Sequence, residues 1–254
     1  MIITILLSLS VYSQEMKVHK TNGTVESFLI SQIDSITFNL SSVPPTEGLI
    51  AYYPFNGNAN DESGNGHNGA VNGPTLTNDR FNYPDKAYDF AGNDENNIAL
   101  SPFIPPEFIS ISIWFNPITN GPGGNLRSVI FSNQQMFVNH DALNIIMEDG
   151  KIHFALLNSS GGEFGILSNG AINLNQWHHV VCIIDSDKKM KMFLDNVEQT
   201  QTILWSGIYA GLNVTNIGNV YLDNDNFDGA LDDVRIYDRA LSESEIQALF
   251  DEGE

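Results

Sequence analysis

Residues 109–115 read ISISIWF, an alternation of period two that suits a strand and not a helix. On a strand, Ile109, Ile111, Ile113 and Phe115 share one face, and Ser110, Ser112 and Trp114 share the other. Short runs of the same kind recur along the chain: LIAYYPF (49–55), RSVIFS (127–132), LNIIM (143–147), KIHFALL (151–157), WHHVVCII (177–184) and KMKMFLD (189–195). In the last of these, Met190, Met192 and Leu194 alternate with Lys189, Lys191 and Phe193, and Asp195-Asn196 then turns the chain. Glu148-Asp149-Gly150 marks a hairpin turn between two of the runs. Many short strands with frequent Gly, Asn and Asp turns predict an all-β, two-sheet antiparallel sandwich. One helix is marked, by the capping box Ser242-Glu243-Ser244-Glu245, and its Ile246, Leu249 and Phe250 stripe is expected to dock on the sandwich.

Charge narrows the partners. With 31 Asp+Glu against 11 Lys+Arg, the net charge of −20 argues against nucleic acid and anionic membrane surfaces. Past the N-terminus no run reaches the roughly 18 apolar residues of a membrane span. Cys182 is the single cysteine, so no internal disulfide forms, and its apolar neighbours place it in the core. Residues 1–13, MIITILLSLSVYS, read as a signal peptide with Val11 and Ser13 at the cleavage positions but without a basic start; the alternative is a buried strand. Residues 14–40 form a small β segment, with Asn22-Gly23 as a two-residue hairpin turn and a third strand at 35–38. Residues 41–46, SSVPPT, are a linker, and the main domain occupies 47–254.

Three segments go beyond a generic sandwich: GLIAYYPFNGNANDESGNGHNGAVNG (48–73), GAINLNQWHHVVCIIDSDKKMKMFLDNV (170–197) and FDGALDDVRIYDRALSESEIQALF (227–250). Together they resemble the laminin-G-like jelly-roll modules of the concanavalin A-like lectin/glucanase superfamily. That resemblance implies a jelly roll, and a protein that is a lectin, a carbohydrate-binding or adhesion module, a glycosidase or a lyase. The N-terminal segment resembles one found in secreted proteins of Bacteroidetes-type bacteria, which implies export.

The loop 56–69 crowds Asn56, Asn58, Asn60, Asp61, Ser63 and Asn65 among glycines, a hard-oxygen composition that suits calcium. In ALDDVRIY (230–237), strict alternation puts Asp232 with Val234 and Ile236, and Asp233 with Leu231, Arg235 and Tyr237. An inward carboxylate is costly unless it is paired or binds a cation. The resemblance implies a structural calcium between these regions, with Asp61 and Asp232 as its carboxylates and Ser63 and Asn65 as further donors. The alternative is an Asx turn at Asp61 and a hydrogen-bonded Asp232. The acidic stretch 223–228 reads as a solvated loop.

Catalysis is not expected. The Glu-x-Asp-x-x-Glu strand of the resembled superfamily's retaining glucanases is absent, as is the Gln-x-His element of its lyases. His178 and His179 fall on opposite strand faces and read as structural, His67 reads as a loop surface position with ligand or ion contact as the alternative, and His140 and His153 show no evident partners in the sequence. Trp114, Trp205 and Tyr209 are the candidates for stacking on sugar, Trp114 because it lies opposite the isoleucine stripe. The expected function is that of a secreted, non-catalytic, calcium-stabilised carbohydrate-binding module, for neutral rather than anionic glycans. The alternative is a cell-surface adhesion or structural module that binds protein; a glycoside hydrolase or polysaccharide lyase comes third.

Overall fold

A computed structural model of the chain describes residues 5–8, 15–19, 24–29, 43–93, 96–101, 106, 108–120, 127–133, 142–157, 162–201, 203–204, 215–219 and 225–253. The chain divides into two units, Met1–Ser41 and Ser42–Glu254, a boundary at the start of the expected linker. In the first unit, β1 (Ile5–Ser8), β2 (Glu15–His19) and β3 (Val25–Leu29) form an antiparallel three-stranded sheet. β1 lies within the expected signal peptide and pairs Ile5 with Val18. The last described pair of the hairpin is His19 with Val25, and the expected Asn22-Gly23 turn lies outside the described residues. The strand expected at 35–38 lies outside the described residues.

The second unit contains β4 (Leu49–Tyr53), β5 (Gly69–Asn72), β6 (Thr75–Thr77), β7 (Ala87–Ala91), β8 (Asn97–Leu100), β9 (Ile109–Pro117), β10 (Arg127–Asn133), β11 (Leu143–Glu148), β12 (Lys151–Leu157), β13 (Glu163–Leu167), β14 (His178–Ile184), β15 (Lys189–Leu194), β16 (Val197–Glu198), β17 (Ile203–Leu204), β18 (Thr215–Ile217), β19 (Asp228–Tyr237) and helix α1 (Glu243–Phe250). They build two antiparallel sheets, one of seven strands in the order β13-β12-β11-β10-β18-β8-β5 and one of nine along β16-β15-β14-β9-β19-β7-β6, with β17 beside β15 and β4 beside β19. Every strand expected from the runs above is present. Asp149-Gly150 and Asp195-Asn196 make two-residue turns with positive φ at both positions, closed by Glu148 opposite Lys151 and Leu194 opposite Val197.

The alternation read from the sequence fills the space between the sheets. Ile109, Ile111, Ile113 and Phe115 of β9 join Val180, Cys182, Met190 and Met192 in one core cluster with Ile145, Phe154, Phe131, Ile217 and Ile98 of the other sheet. The nine-stranded sheet is also covered on its outer face. There Val181, Ile183, Phe193 and Tyr237 meet Leu241, Ile246 and Leu249 of the C-terminal segment in a second cluster. The capping box forms as expected: Ser242 accepts from the Glu245 amide, and Glu245 Oε2 accepts from the Ser242 amide at 2.8 Å. Ser110 Oγ pins this segment to the sheet, donating to the Arg239 carbonyl at 2.7 Å and accepting from the Leu241 amide at 3.0 Å. No helix among the described residues is long and apolar enough to cross a membrane.

Candidate functional site

β19 breaks its alternation once. Asp232 pairs with Trp114 and Arg235 with Ser112, so Asp233 and Val234 together face the single residue Ile113. This is a β-bulge, with Asp233 in the left-handed region at φ 46°. Leu231, Val234 and Ile236 all enter the core, a spacing that strict alternation forbids. The expected inward direction of Asp232 is therefore corrected. The inserted residue turns it to the outer face, where Trp114 also points.

On that face Arg80 Nη1 donates to Asp232 Oδ2 at 2.9 Å and also to Asp233 Oδ2, and Arg80 Nη2 reaches the Glu252 carbonyl at 3.2 Å. Arg235 Nη2 lies 2.7 Å from Glu252 Oε2 and 3.6 Å from Asp233 Oδ1. Tyr52 donates its hydroxyl to Asp233 Oδ1 at 2.9 Å. Two guanidinium groups thus meet three carboxyl groups. Burial and the neighbouring Asp233 push the Asp232 carboxyl up to about 8, against the opposing pull of Arg80. Burial, with Arg235 and Arg80 nearby, holds His179 down to about 3, and its Nε2 lies 2.7 Å from Ser112 Oγ.

The four residues expected to hold calcium do not make one donor set. Asp61 is an Asx-turn anchor: Oδ1 accepts from the amides of Tyr52 (3.0 Å) and Ser63 (2.9 Å), and Oδ2 from that of His67 (2.9 Å). These bonds hold its carboxyl below the usual range despite the opposing effect of burial. Ser63 Oγ donates to the Ile50 carbonyl at 3.0 Å, and Asn65 Nδ2 donates to the same carbonyl at 2.8 Å. Asp232 belongs to the Arg80 group, where the guanidinium pairs with its carboxyl. Among the described residues no group of three or more His, Cys, Asp or Glu is arranged to hold a metal. The residues fit the alternative reading of a hydrogen-bonded loop clamp and a paired strand carboxylate.

Trp114 does not offer a face to ligand. It is 8% exposed, in a cluster with the His179 ring at 4.9 Å and the Phe250 ring at 5.6 Å, and with the Arg80 guanidinium 4.7 Å from its ring. The docked helix covers the face that alternation left open. Trp205, Tyr209 and His140 lie outside the described residues. His178 and His179 do take opposite faces, and His178 bonds Asp195 Oδ2 at 2.8 Å. In the acidic stretch, Asp225 Oδ2 lies 3.9 Å from Arg127 Nε, and Asp228 Oδ2 accepts from Thr119 Oγ1 at 3.0 Å.

The outer face of the seven-stranded sheet has a different character. One row crosses every strand: Gly165 opposite Ala155, then Asn144, Ser132, Asn216, Ala99 and Ala70 in turn. No side chain in it is larger than asparagine, whereas the next row holds Leu167, His153, Ile146 and Val129. The row is a strip of small and amide side chains, and Ala155, Asn144, Ser132 and Asn216 in it are buried. Ser132 Oγ donates to Asn144 Oδ1 at 2.7 Å, while Asn216, 1% exposed, leaves its side-chain oxygen without a hydrogen bond. His153 stands beside the strip, with Nδ1 3.1 Å from Glu148 Oε2 and Nε2 3.5 Å from Glu163 Oε1. A Cβ at Gly165 would meet the His153 ring, so a larger residue there requires that ring to move.

A laminin-G family model, described as the concanavalin A-like lectin/glucanases superfamily, matches residues 90–247, more than half of the chain. The chain belongs to this family. A comparison with curated proteins finds no match. Among solved structures, domain 4 of AbnA, a GH43 extracellular arabinanase from Geobacillus stearothermophilus in complex with arabinotriose, superposes with a TM-score of 0.66 at 22% identity, over 79% of this chain and 97% of that one. The binding domain of Paraclostridial Mosquitocidal Protein 1 gives 0.65 at 19% identity over 81% of this chain. The receptor-binding domain of botulinum neurotoxin type G gives 0.64 at 15% over 80%. The match spans about half of each toxin fragment, 52% and 51%.

Within this laminin-G fold, Arg80 and the amide row are what sequence reasoning missed. The signal for Arg80 was present, since Leu231, Val234 and Ile236 are spaced three and then two apart, which an uninterrupted strand cannot bury together. The amide row had no local signal, because its members come from seven strands.

Three outcomes follow from this geometry. Asp61→Ala, which strands three amides, lowers stability by about 2–3 kcal/mol, and denaturant melts in calcium and in EDTA show the same loss. Arg80→Met leaves two adjacent buried carboxylates without their cation and costs about 3–5 kcal/mol near pH 8, with a smaller cost near pH 5. Because the Asp232 carboxyl titrates higher folded than unfolded, the folded chain keeps a proton that the unfolded chain has released. Wild-type stability therefore falls as pH rises from about 4 to about 8, and Asp232→Asn flattens that slope in melts across the range.

Proposed function

We propose that the chain is a carbohydrate-binding module that holds neutral glycans along the amide row and does not cleave them. The observation that carries this reading is Asn216, a buried acceptor without a donor in the middle of a strip of small and amide side chains. An unsatisfied buried carbonyl costs about 1–3 kcal/mol, and a sugar hydroxyl supplies the missing donor. Asn144 and Ser132, next to it in the row, are buried too and bond to each other, which leaves Asn216 as the group that lacks a partner.

Charge selects the glycan. Glu148 and Glu163 flank the row through His153, and the net charge of −20 repels uronates and sulfates. The same pair supports binding without hydrolysis. The imidazole lies between the two carboxylates, Nδ1 3.1 Å from Glu148 and Nε2 3.5 Å from Glu163, and so fills the space a glycosidic bond would need between them. The shared fold of an arabinanase domain bound to arabinotriose is consistent with a glycan ligand. Export through residues 1–13 would place the module outside the cell, where such polymers are met.

The test is retention of the full chain on insoluble and immobilised neutral polysaccharides, with Asn216→Ala alongside. Wild type is retained and releases no reducing ends or unsaturated products. Asn216→Ala loses most of its affinity while its stability is unchanged or higher, because the orphaned carbonyl has gone. Failure of the wild type to bind any glycan would overturn the reading and favour a protein ligand; sugar release would make the chain an enzyme.

A further inference from the structure

The loop between β6 and β7, residues 78–86, is bonded far more tightly than its exposure requires. Asp79 Oδ1 accepts from the amides of Phe81 at 2.9 Å and Tyr83 at 2.8 Å, and the Asp79 amide donates to the Tyr83 carbonyl at 3.0 Å. Asn78 Nδ2 donates to Asn82 Oδ1 at 2.9 Å. Arg80, in the centre of the loop, is locked into the buried group on β19. The far end is tied to the neighbouring loop, since the Gly57 amide donates to the Asp85 carbonyl at 2.9 Å and Lys86 Nζ to Asn56 Oδ1 at 2.6 Å. Asn82 and Asp85 sit in the left-handed region, at φ 66° and 60°.

This frame holds an aromatic ring out in water. Phe81 packs in part, with Arg80 4.5 Å from its ring, but Tyr83 is 63% exposed. Asn82, next to it in the chain, is exposed, as are Asn56 and Asn58 in the loop tied to residues 85 and 86. A rigid backbone has already lost the entropy that a flexible loop would lose on binding. A tyrosine ring has an apolar face and few rotamers, so it offers contact area at low entropic cost.

We infer that Tyr83 is a second glycan contact, stacking on the apolar face of a sugar ring whose hydroxyls meet the neighbouring asparagines. It lies on the edge of the nine-stranded sheet, whereas the amide row lies on the other sheet, so the two contacts are separate places on one module. This inference rests on the carbohydrate-binding reading above. A chain long enough to touch both would gain avidity that a short oligosaccharide cannot.

The test compares wild type, Tyr83→Ala, Tyr83→Phe and Asn216→Ala in depletion isotherms on whichever insoluble neutral polysaccharide retains the wild type. Tyr83→Ala binds about tenfold more weakly with an unchanged melting temperature, and Tyr83→Phe binds as wild type because stacking needs the ring and not the hydroxyl. Wild-type affinity in Tyr83→Ala would overturn this second contact and leave the amide-row reading standing. Loss in Tyr83→Ala with full retention in Asn216→Ala would overturn the amide row and keep Tyr83. A wild type that no polysaccharide retains would overturn both.

Discussion

The outer face of the nine-stranded sheet is organised around one guanidinium. Arg80 is presented by an edge loop, yet its charge is spent on Asp232 and Asp233 in the central strand β19. The bulge at Asp233 makes this possible, because it sends both neighbouring carboxylates to the face away from the core while Leu231, Val234 and Ile236 stay inside it. Removing either side would leave buried charge uncompensated, which costs far more than the pair itself contributes. From this contact follow the seat of the C-terminal segment, through the Glu252 carbonyl, and the stack in which Phe250 lies on Trp114.

Three of the four arginines in the chain work at this corner: Arg80 and Arg235 in the buried group, and Arg239 at the helix start, bonded to Glu245 at 2.6 and 2.9 Å. A chain with so few cations uses them where carboxylates are buried and leaves the rest of its acidity to solvent. That choice has a functional side. With helix α1 seated on the nine-stranded sheet, the outer face of the seven-stranded sheet meets no helix among the described residues. Its outer row is polar and small where the covered face is apolar and aromatic.

Most of the fold was legible in the sequence. The period-two runs at 109–115 and 189–195 point their isoleucines and methionines inward as alternation requires, and the capping box starts the helix where it reads. Two short-range inferences were misled by longer-range contacts. Trp114 was correctly placed on the face opposite the isoleucines, but alternation says nothing about what later covers that face. Asp232 was assigned by strict parity, and a single inserted residue reversed it. Asp61 shows the converse, since a composition that suits calcium is equally the composition of a loop whose carboxylate caps its own backbone.

The sequence by itself determined the elements: which segments are strands, which faces are apolar, where the turns fall and where the helix begins. These are local properties, set by alternation, turn residues and capping over a few positions. Only the tertiary structure decided the partners. It joined Arg80 to Asp232 and Asp233 across some 150 positions of sequence, and it aligned seven small and amide residues from seven strands into one row. The physical reason is that register between strands is fixed by the packing of the whole core, so a site assembled across strands has no signature within any one of them.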